Sequence, residues 1–279
     1  MNSYAHNGEG RLAELTHRDR EGILDRYVYQ YDLMGNKTAI EKQRRGLPGE
    51  SGAYTYNAMN QLVSRVDAMN EEPYTYDKRG NLSLILQNGA LRNQYVYGAL
   101  NCLEQAVNAK GETALYTYNG LGHRVGKTIG ILEMQGMAVP DPLSMLDKQG
   151  IHPEKKIQYT IDLTRGYHNL LQKEEDGKPQ SYLWDRNMAR MREDTGKEAR
   201  YYLQDELGSP IRLTDQNGEL EESYGYDEHG KDLYGNQGVV QPFGYTGYQP
   251  DRIAGTCYAQ AREYMPLNEN PNPQLCWGE

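Results

Sequence analysis

Few side chains in this sequence stand at spacings that do chemistry. The three cysteines, Cys102, Cys257 and Cys276, are odd in number and lack metal-type spacing. They predict neither a zinc site nor a full disulfide set. Six histidines, His6, His17, His123, His152, His168 and His229, are scattered in the same way, and structural or solvent roles are expected for them. Nucleophile elbows of the Gly-x-Ser-x-Gly type, phosphate loops and dinucleotide fingerprints do not occur. The 39 acidic residues single out no pair by spacing. Arg18-Asp-Arg20 and Lys42-Gln-Arg-Arg45 are small basic clusters that read as solvated loops. The prediction is therefore no catalytic, cofactor-binding or metal-binding residue, and a protein that is not an enzyme.

The totals narrow the partners. A net charge of −9 opposes a nucleic-acid grip, which needs a basic stripe to displace counterions. No 18-residue apolar run is present, so no membrane-spanning helix is expected. The opening Met1-Asn2-Ser3-Tyr4 shows no signal-peptide pattern. Mean hydropathy is −0.87, a value that usually points to disorder. Tyrosine changes that judgement: there are 24 Tyr against one Phe and two Trp. Each ring buries a large area while its hydroxyl stays hydrogen-bonded, so a thin sheet can be built from Tyr.

The elements that carry those rings are set by an internal repeat, Tyr-x-Tyr-Asp/Asn-x-x-Gly-x-apolar. Good copies are Tyr29-Gln-Tyr31-Asp32 with Gly35, Tyr74-Thr-Tyr76-Asp77 with Gly80, Tyr116-Thr-Tyr118-Asn119 with Gly122, and Tyr224-Gly-Tyr226-Asp227 with Gly230. Variants place Asn60 after Tyr54-Thr-Tyr56-Asn57, and Asn101 after Tyr95-Val-Tyr97-Gly98, at the Gly position. Weaker copies start at Tyr4, Tyr159, Tyr182 and Tyr202. The second aromatic slot falls at 6, 31, 56, 76, 97, 118, 161, 184, 204 and 226. Steps run from 20 residues (56 to 76) to 25 (6 to 31), apart from one of 43 (118 to 161).

Tyrosines at i and i+2 share one side of a strand. The Asp or Asn that follows caps the amides of a turn, and Gly three residues later supplies positive φ. A second family of turns, at Asn108–Gly111, Glu175–Gly177, Asp194–Gly196 and Asp215–Gly218, falls about half a period away. The prediction is an all-β chain, an antiparallel meander of hairpins. About ten hairpins give roughly twenty strands and, at about 4.8 Å each, a sheet roughly 90 Å wide. A strip that wide is expected to curl into a coiled sheet, spiral or partial barrel. Organisation is expected as a repeat array over 1–125, an irregular insertion over 126–155, further repeats over 156–266 and a divergent tail over 267–279. The insertion, with Met134, Met137 and Asp141-Pro142, is read as a long excursion or irregular hairpin over the sheet, the alternative being a partner-docking loop suggested by its methionines.

The repeat resembles the Tyr-Asp (YD) repeat of bacterial Rhs proteins, insecticidal toxin-complex shells and teneurins. Residues 201–266 resemble the Rhs repeat-associated core, through Tyr201-Tyr202-Leu-Gln-Asp205-Glu-Leu-Gly208-Ser209, Pro242-Phe243-Gly-Tyr-Thr-Gly-Tyr248 and Ala261-Arg262-Glu-Tyr264. The resemblance implies a hollow β-shell that encloses a C-terminal toxin, with the core region as plug and paired Asp-Pro-x-Gly-like segments beyond it for aspartyl self-cleavage. After Pro266 the sequence departs from that pattern, and Asp141-Pro142 lacks the following x-Gly. Neither toxin nor cleavage pair carries over, and a truncated or frameshifted piece of an array is expected. The function expected is a non-catalytic shell fragment of an Rhs-type polymorphic toxin, secreted or at the cell surface. Its partners would be the rest of the shell and the toxin. The alternative is a carbohydrate-binding or adhesive surface module whose exposed Tyr rows stack on cell-surface glycans.

Overall fold

A computed structural model describes residues 1–132, 151–164, 169–185, 188–193, 199–226, 230–235, 240–260 and 262–266. Among them nineteen strands form an antiparallel meander and three short strands form a second sheet. The all-β meander predicted from the repeat is the fold observed. The chain divides into two compact units. The described parts of the first are Met1–Tyr76 and Leu84–Arg92. The second holds Asp77–Ser83 and most of the chain from Asn93 on.

The first unit is built from β1 (Asn2–His6), β2 (Leu12–Asp19), β3 (Gly22–Tyr31), β4 (Lys37–Arg44), β5 (Glu50–Tyr56), β6 (Leu62–Asp67) and β7 (Glu71–Tyr76). Each pairs antiparallel with the next in chain order. β8 (Leu82–Gln87) and β9 (Ala90–Tyr97) each contribute residues to both units. The second unit continues through β10 (Leu103–Asn108), β11 (Glu112–Tyr118), β12 (Arg124–Leu132), β13 (Ile151–Asp162), β14 (Asn169–Glu175) and β15 (Lys178–Trp184). It ends with β16 (Met188–Glu193), β17 (Arg200–Gln204), β18 (Pro210–Thr214) and β19 (Leu220–Ser223), again paired in order. β12 pairs with β13 from Gly126↔Gln158 to Leu132↔Ile151, with one register shift between Ile129 and Gly130, so both ends of the expected insertion are paired strand. Its middle, with Met134, Met137 and Asp141-Pro142, lies outside the described residues. So do Asp194–Gly196, His168, His229, Cys276 and the tail 267–279.

The turn chemistry follows the repeat. Asp77 Oδ1 accepts the amides of Arg79 (2.8 Å) and Asn81 (2.9 Å), and Asn119 Oδ1 those of Leu121 and His123 (both 3.0 Å). Asp205 does the same for Leu207 and Ser209. The residue three places on has positive φ: 87° at Gly80, 80° at Gly122, and 60° at Asn60 and Asn101, the two Asn substitutes. Asparagine is the side chain that tolerates this region at small cost.

One regularity was not legible in the sequence. In the return strands β4, β6, β10, β12, β14 and β16 the register shifts just after the turn, so that one residue is unpaired: Tyr31 pairs with Lys37 but Gln30 with Ala39. Tyr118 pairs with Arg124 but Thr117 with Gly126, and the same shift recurs at Tyr56, Ile161 and Trp184. Pairing to the following strand then begins only beyond the bulge, which leaves the carbonyl of the first return-strand residue outside the ladder. The second aromatic of the next repeat satisfies it. Tyr31 Oη donates to Leu12 O (2.7 Å), Tyr76 Oη to Leu62 O (2.8 Å) and Tyr118 Oη to Leu103 O (2.7 Å). At Trp184 the indole Nε1 donates to Leu170 O (2.6 Å). Here lies the reason for 24 Tyr and one Phe: the slot needs a ring to bury and a donor at its far end.

Candidate functional site

The residues that gather densely in the second unit are those where its last segment docks on the meander. Residues 240–266 fold around β20 (Gln249–Asp251), β21 (Thr256–Tyr258) and β22 (Glu263–Tyr264), a three-stranded sheet. Short strands with turns between them leave many backbone groups to satisfy, and the meander supplies partners. Asn93 Nδ2 donates to Ile253 O (2.9 Å) and Tyr95 Oη to Ala254 O (2.7 Å).

The docking has an aromatic half. Phe243, the one Phe of the sequence, is fully buried with Leu170, Tyr182, Met188, Met191, Tyr202, Leu213 and Tyr224. The rings of Tyr182 (5.1 Å, 84°), Trp184 (5.4 Å, 88°) and Tyr202 (6.3 Å, 81°) meet it edge to face. That geometry sets the electropositive edge of one ring on the electron-rich face of another. Gln241 clamps the segment, its side chain accepting from Phe243 N (2.8 Å) and donating to Phe243 O (2.7 Å). Gln180 Nε2 holds Val240 O at 3.1 Å, and Ser209 Oγ accepts from Thr246 N at 3.0 Å.

The other half is ionic and buried. Arg124, on β12, is 4% exposed and pairs with Glu263, also 4% exposed. Its guanidinium lies 4.0 Å from the ring centroid of Tyr116 and 4.1 Å from that of Tyr258, a cation–π arrangement out of water. Arg124 Nη2 also donates to Tyr118 Oη (3.1 Å), and its backbone amide to Tyr258 Oη (3.0 Å). Glu263 takes a further hydrogen bond from Thr256 Oγ1 (2.8 Å). Beside this pair Asp251 receives Lys127 Nζ (2.8 Å) and Tyr116 Oη (2.7 Å) on Oδ2, and the amides of Ile253 and Ala254 on Oδ1.

The electrostatics follow from burial and pairing. Burial alone pushes the Asp251 carboxyl up, but Lys127, Arg124 and the Tyr116 hydroxyl together bring it down to about 2. Burial, with Asp251 alongside, holds the Tyr116 phenol well above its usual range. Burial pushes the Cys257 thiol up to about 12, with the Glu263 carboxylate adding to the effect. A base or nucleophile needs a group that changes protonation near neutral pH within reach of a substrate. Asp251 is held well below that range and Cys257 well above it, and Arg124 and Glu263 are paired with each other. The arrangement holds a segment in place.

No member of this cluster was singled out from the sequence as a site residue. Tyr258 and the Arg262-Glu263-Tyr264 stretch stood within the core-like resemblance, but Arg124, Lys127 and Asp251 carried no signal of their own. The first unit has a smaller counterpart, Glu72, buried with Arg92 (2.7 Å), Arg65 (3.3 Å) and the Tyr74 hydroxyl (3.0 Å). In the basic cluster Lys42–Arg45, Arg45 meets Asp19 (2.8 Å) and Arg44 meets Glu50 (3.1 Å). Among the described residues no group of three or more His, Cys, Asp or Glu is placed to hold a metal. His6 and His152 are exposed, and His17 Nδ1 lies 2.9 Å from Asn2 Oδ1. No helix among the described residues is long and apolar enough to cross a membrane.

No family model matches the chain. It is 27% identical over 264 residues to the tRNA3(Ser)-specific nuclease WapA of Bacillus spizizenii and to the tRNA nuclease WapA of Bacillus subtilis. Both alignments take in 92% of this chain and 10% of the relative. The chain thus spans about a tenth of the length of the curated relatives it matches. Among solved structures it is similar to the TcdB2-TccC3-Cdc42 crystal structure (15% identity, TM-score 0.42) and to the Photorhabdus luminescens Tc holotoxin pore (16%, 0.41). Each covers 95% of this chain, which covers 16% of that one.

Proposed function

We propose that this chain is a non-catalytic structural segment of an Rhs-type YD-repeat shell whose parent protein is a toxin. The rest of the shell and a toxin domain enclosed by it are its partners, and the assembled protein works outside the producing cell. The observation that supports this reading best is the repeated clasp between hairpins, in which one repeat's Tyr or Trp donor closes the bulge of the repeat before it. A wall made this way can be extended without limit and needs no active site. The similarity to large nucleases, of which the chain spans a tenth, agrees with a role as carrier.

The glycan-binding alternative calls for exposed Tyr rows. The first Tyr of the repeat is buried at Tyr54, Tyr74, Tyr95, Tyr116, Tyr182, Tyr202 and Tyr224, which leaves those rings no face to offer a sugar. The test of the shell reading is to produce the chain together with the polypeptide encoded on both sides of it and digest the product with protease. A protease-resistant particle that shields a C-terminal domain is expected. Equal digestion of that domain with and without residues 1–266 would refute the reading.

A further inference from the structure

Asparagine occupies two particular places in the repeats. It fills the positive-φ slot of the turn at Asn60 and Asn101, and it follows that slot at Asn36 and Asn81. Each filled slot belongs to the repeat directly after one that ends in Gly-Asn: Gly35-Asn36 precedes Asn60, and Gly80-Asn81 precedes Asn101. Where Arg11, Gln61, Cys102, His123 or Ser209 follows the slot instead, no Asn fills the next one.

The two places meet in space. Asn81 Nδ2 donates to Asp77 Oδ2 (2.9 Å) within its own turn and to Asn101 Oδ1 (2.6 Å) in the next. Asn36 does the same between Asp32 Oδ2 (2.9 Å) and Asn60 Oδ1 (3.1 Å). A carboxylate only accepts, so Asp77 turns the amide nitrogen of Asn81 toward itself, and the second N–H of that group points at the next turn. Asn101 supplies an acceptor there, which a Gly in the slot could not. Asn81 is 2% exposed, so leaving that N–H unmet would carry a desolvation cost.

The turn Gly98–Asn101 also needs what it receives. Asp77 Oδ1 accepts the amides two and four residues on, whereas Gly98 has no side chain to do so for Leu100 and Cys102. Arg79, in the middle of the preceding turn, donates to Gly98 O (2.6 Å) and Tyr97 O (2.9 Å). We infer that the turn Asp77–Asn81 positions the turn Gly98–Asn101, with Asn81 and Arg79 as donors and Asn101 as the acceptor that makes the match specific. The hairpin that ends at Gly98–Asn101, lacking a cap of its own, is thereby matched to a preceding hairpin that ends in Gly-Asn. Side chains at the turn tips then set which repeat follows which, whatever the parent protein carries.

Amide exchange on the isotope-labelled full chain tests this. Asn101 N donates to Gly98 O and Gly98 N to Cys102 O, and these two amides are the reporters. Asn81→Ala is expected to speed exchange at both by roughly threefold to tenfold, the range that one net hydrogen bond spans. Gly122, in a turn capped by its own Asn119, should not change. Asn101→Gly separates a matched acceptor from a stand-in for Gly, since Gly adopts the slot's φ of 60° at less cost. With Asn81 present, Asn101→Gly should speed exchange at Gly98 by about threefold or more. In the Asn81→Ala background it should leave exchange there unchanged or slower. Equal effects of Asn101→Gly with and without Asn81 would overturn the inference. So would unchanged exchange at Gly98 and Asn101 in Asn81→Ala, or an acceleration that reaches Gly122 equally, which is general loosening.

Discussion

Replacing Arg124 by Met tests the buried clasp. The substitution keeps most of the side-chain volume, so the cavity contribution is small. It leaves Glu263, 4% exposed, with Thr256 Oγ1 as its remaining polar contact in the cluster. An uncompensated buried charge costs about 3–5 kcal/mol. Loss of the cation–π contacts at 4.0 and 4.1 Å adds to it, by up to about 2 kcal/mol for a desolvated site. These contributions share one guanidinium and do not add fully, so a loss of about 4 kcal/mol is expected. The companion is the double variant Arg124→Met with Glu263→Met, which removes the stranded carboxylate and should recover at least about half of the loss. Urea denaturation read by Trp fluorescence follows Trp184, whose ring packs on Phe243 in this unit. Exchange of the amides in residues 249–264 reports the docked segment directly. A single-variant loss below about 1 kcal/mol, or a double variant less stable than the single, would refute the reading of Glu263 as a charge held by Arg124.

Four other outcomes follow from the geometry. Tyr76→Phe keeps the ring and removes the bond to Leu62 O, so about 1 kcal/mol is expected in urea denaturation, against about 3 kcal/mol for Tyr76→Ala. Asp251 is ionised more easily folded than unfolded, so its contribution is present above its ordinary value of 3.8 and lost as pH falls through about 2. Asp251→Asn should flatten the acid limb of a stability–pH profile by roughly 2 kcal/mol between those values. Cys257, buried and held near 12, should resist iodoacetamide at pH 8 in the native protein and react in urea, as mass spectrometry of the labelled peptide would show. A Cβ at Gly130 would lie 2.4 Å from His152 O, a backbone atom that cannot step aside, so Gly130→Ala should destabilise the β12–β13 pairing by about 1–3 kcal/mol in the same denaturation assay.

The division between what could be read early and late has a physical cause. Turn chemistry is local: Asp77 caps amides two and four residues on, and Gly80 closes the same turn, so spacing alone exposes both. Strand direction, alternation and the meander follow, because each hairpin is closed by neighbours in sequence. The bulges after the turns left no mark in composition, since an unpaired residue can be of any type. Their consequence did leave one, in the excess of Tyr over Phe, although its meaning needed the acceptor carbonyl on another repeat.

The clasp of Arg124, Lys127, Asp251 and Glu263 belongs to the other kind. More than a hundred residues separate Arg124 from Glu263, and a lone Arg on a strand and a lone Glu near a chain's last turns look like solvated surface. Only tertiary docking strips water from both and makes the pair matter. The same holds for Tyr4 and His6, which carry the repeat's pattern in sequence yet stand exposed on β1. Sequence by itself determined the repeat, the turns and the all-β meander, because these depend on residues a few positions apart. Which Tyr rings are buried and which carboxylates are paired were decided by the tertiary structure, because burial and desolvation depend on residues that the chain brings together from far apart.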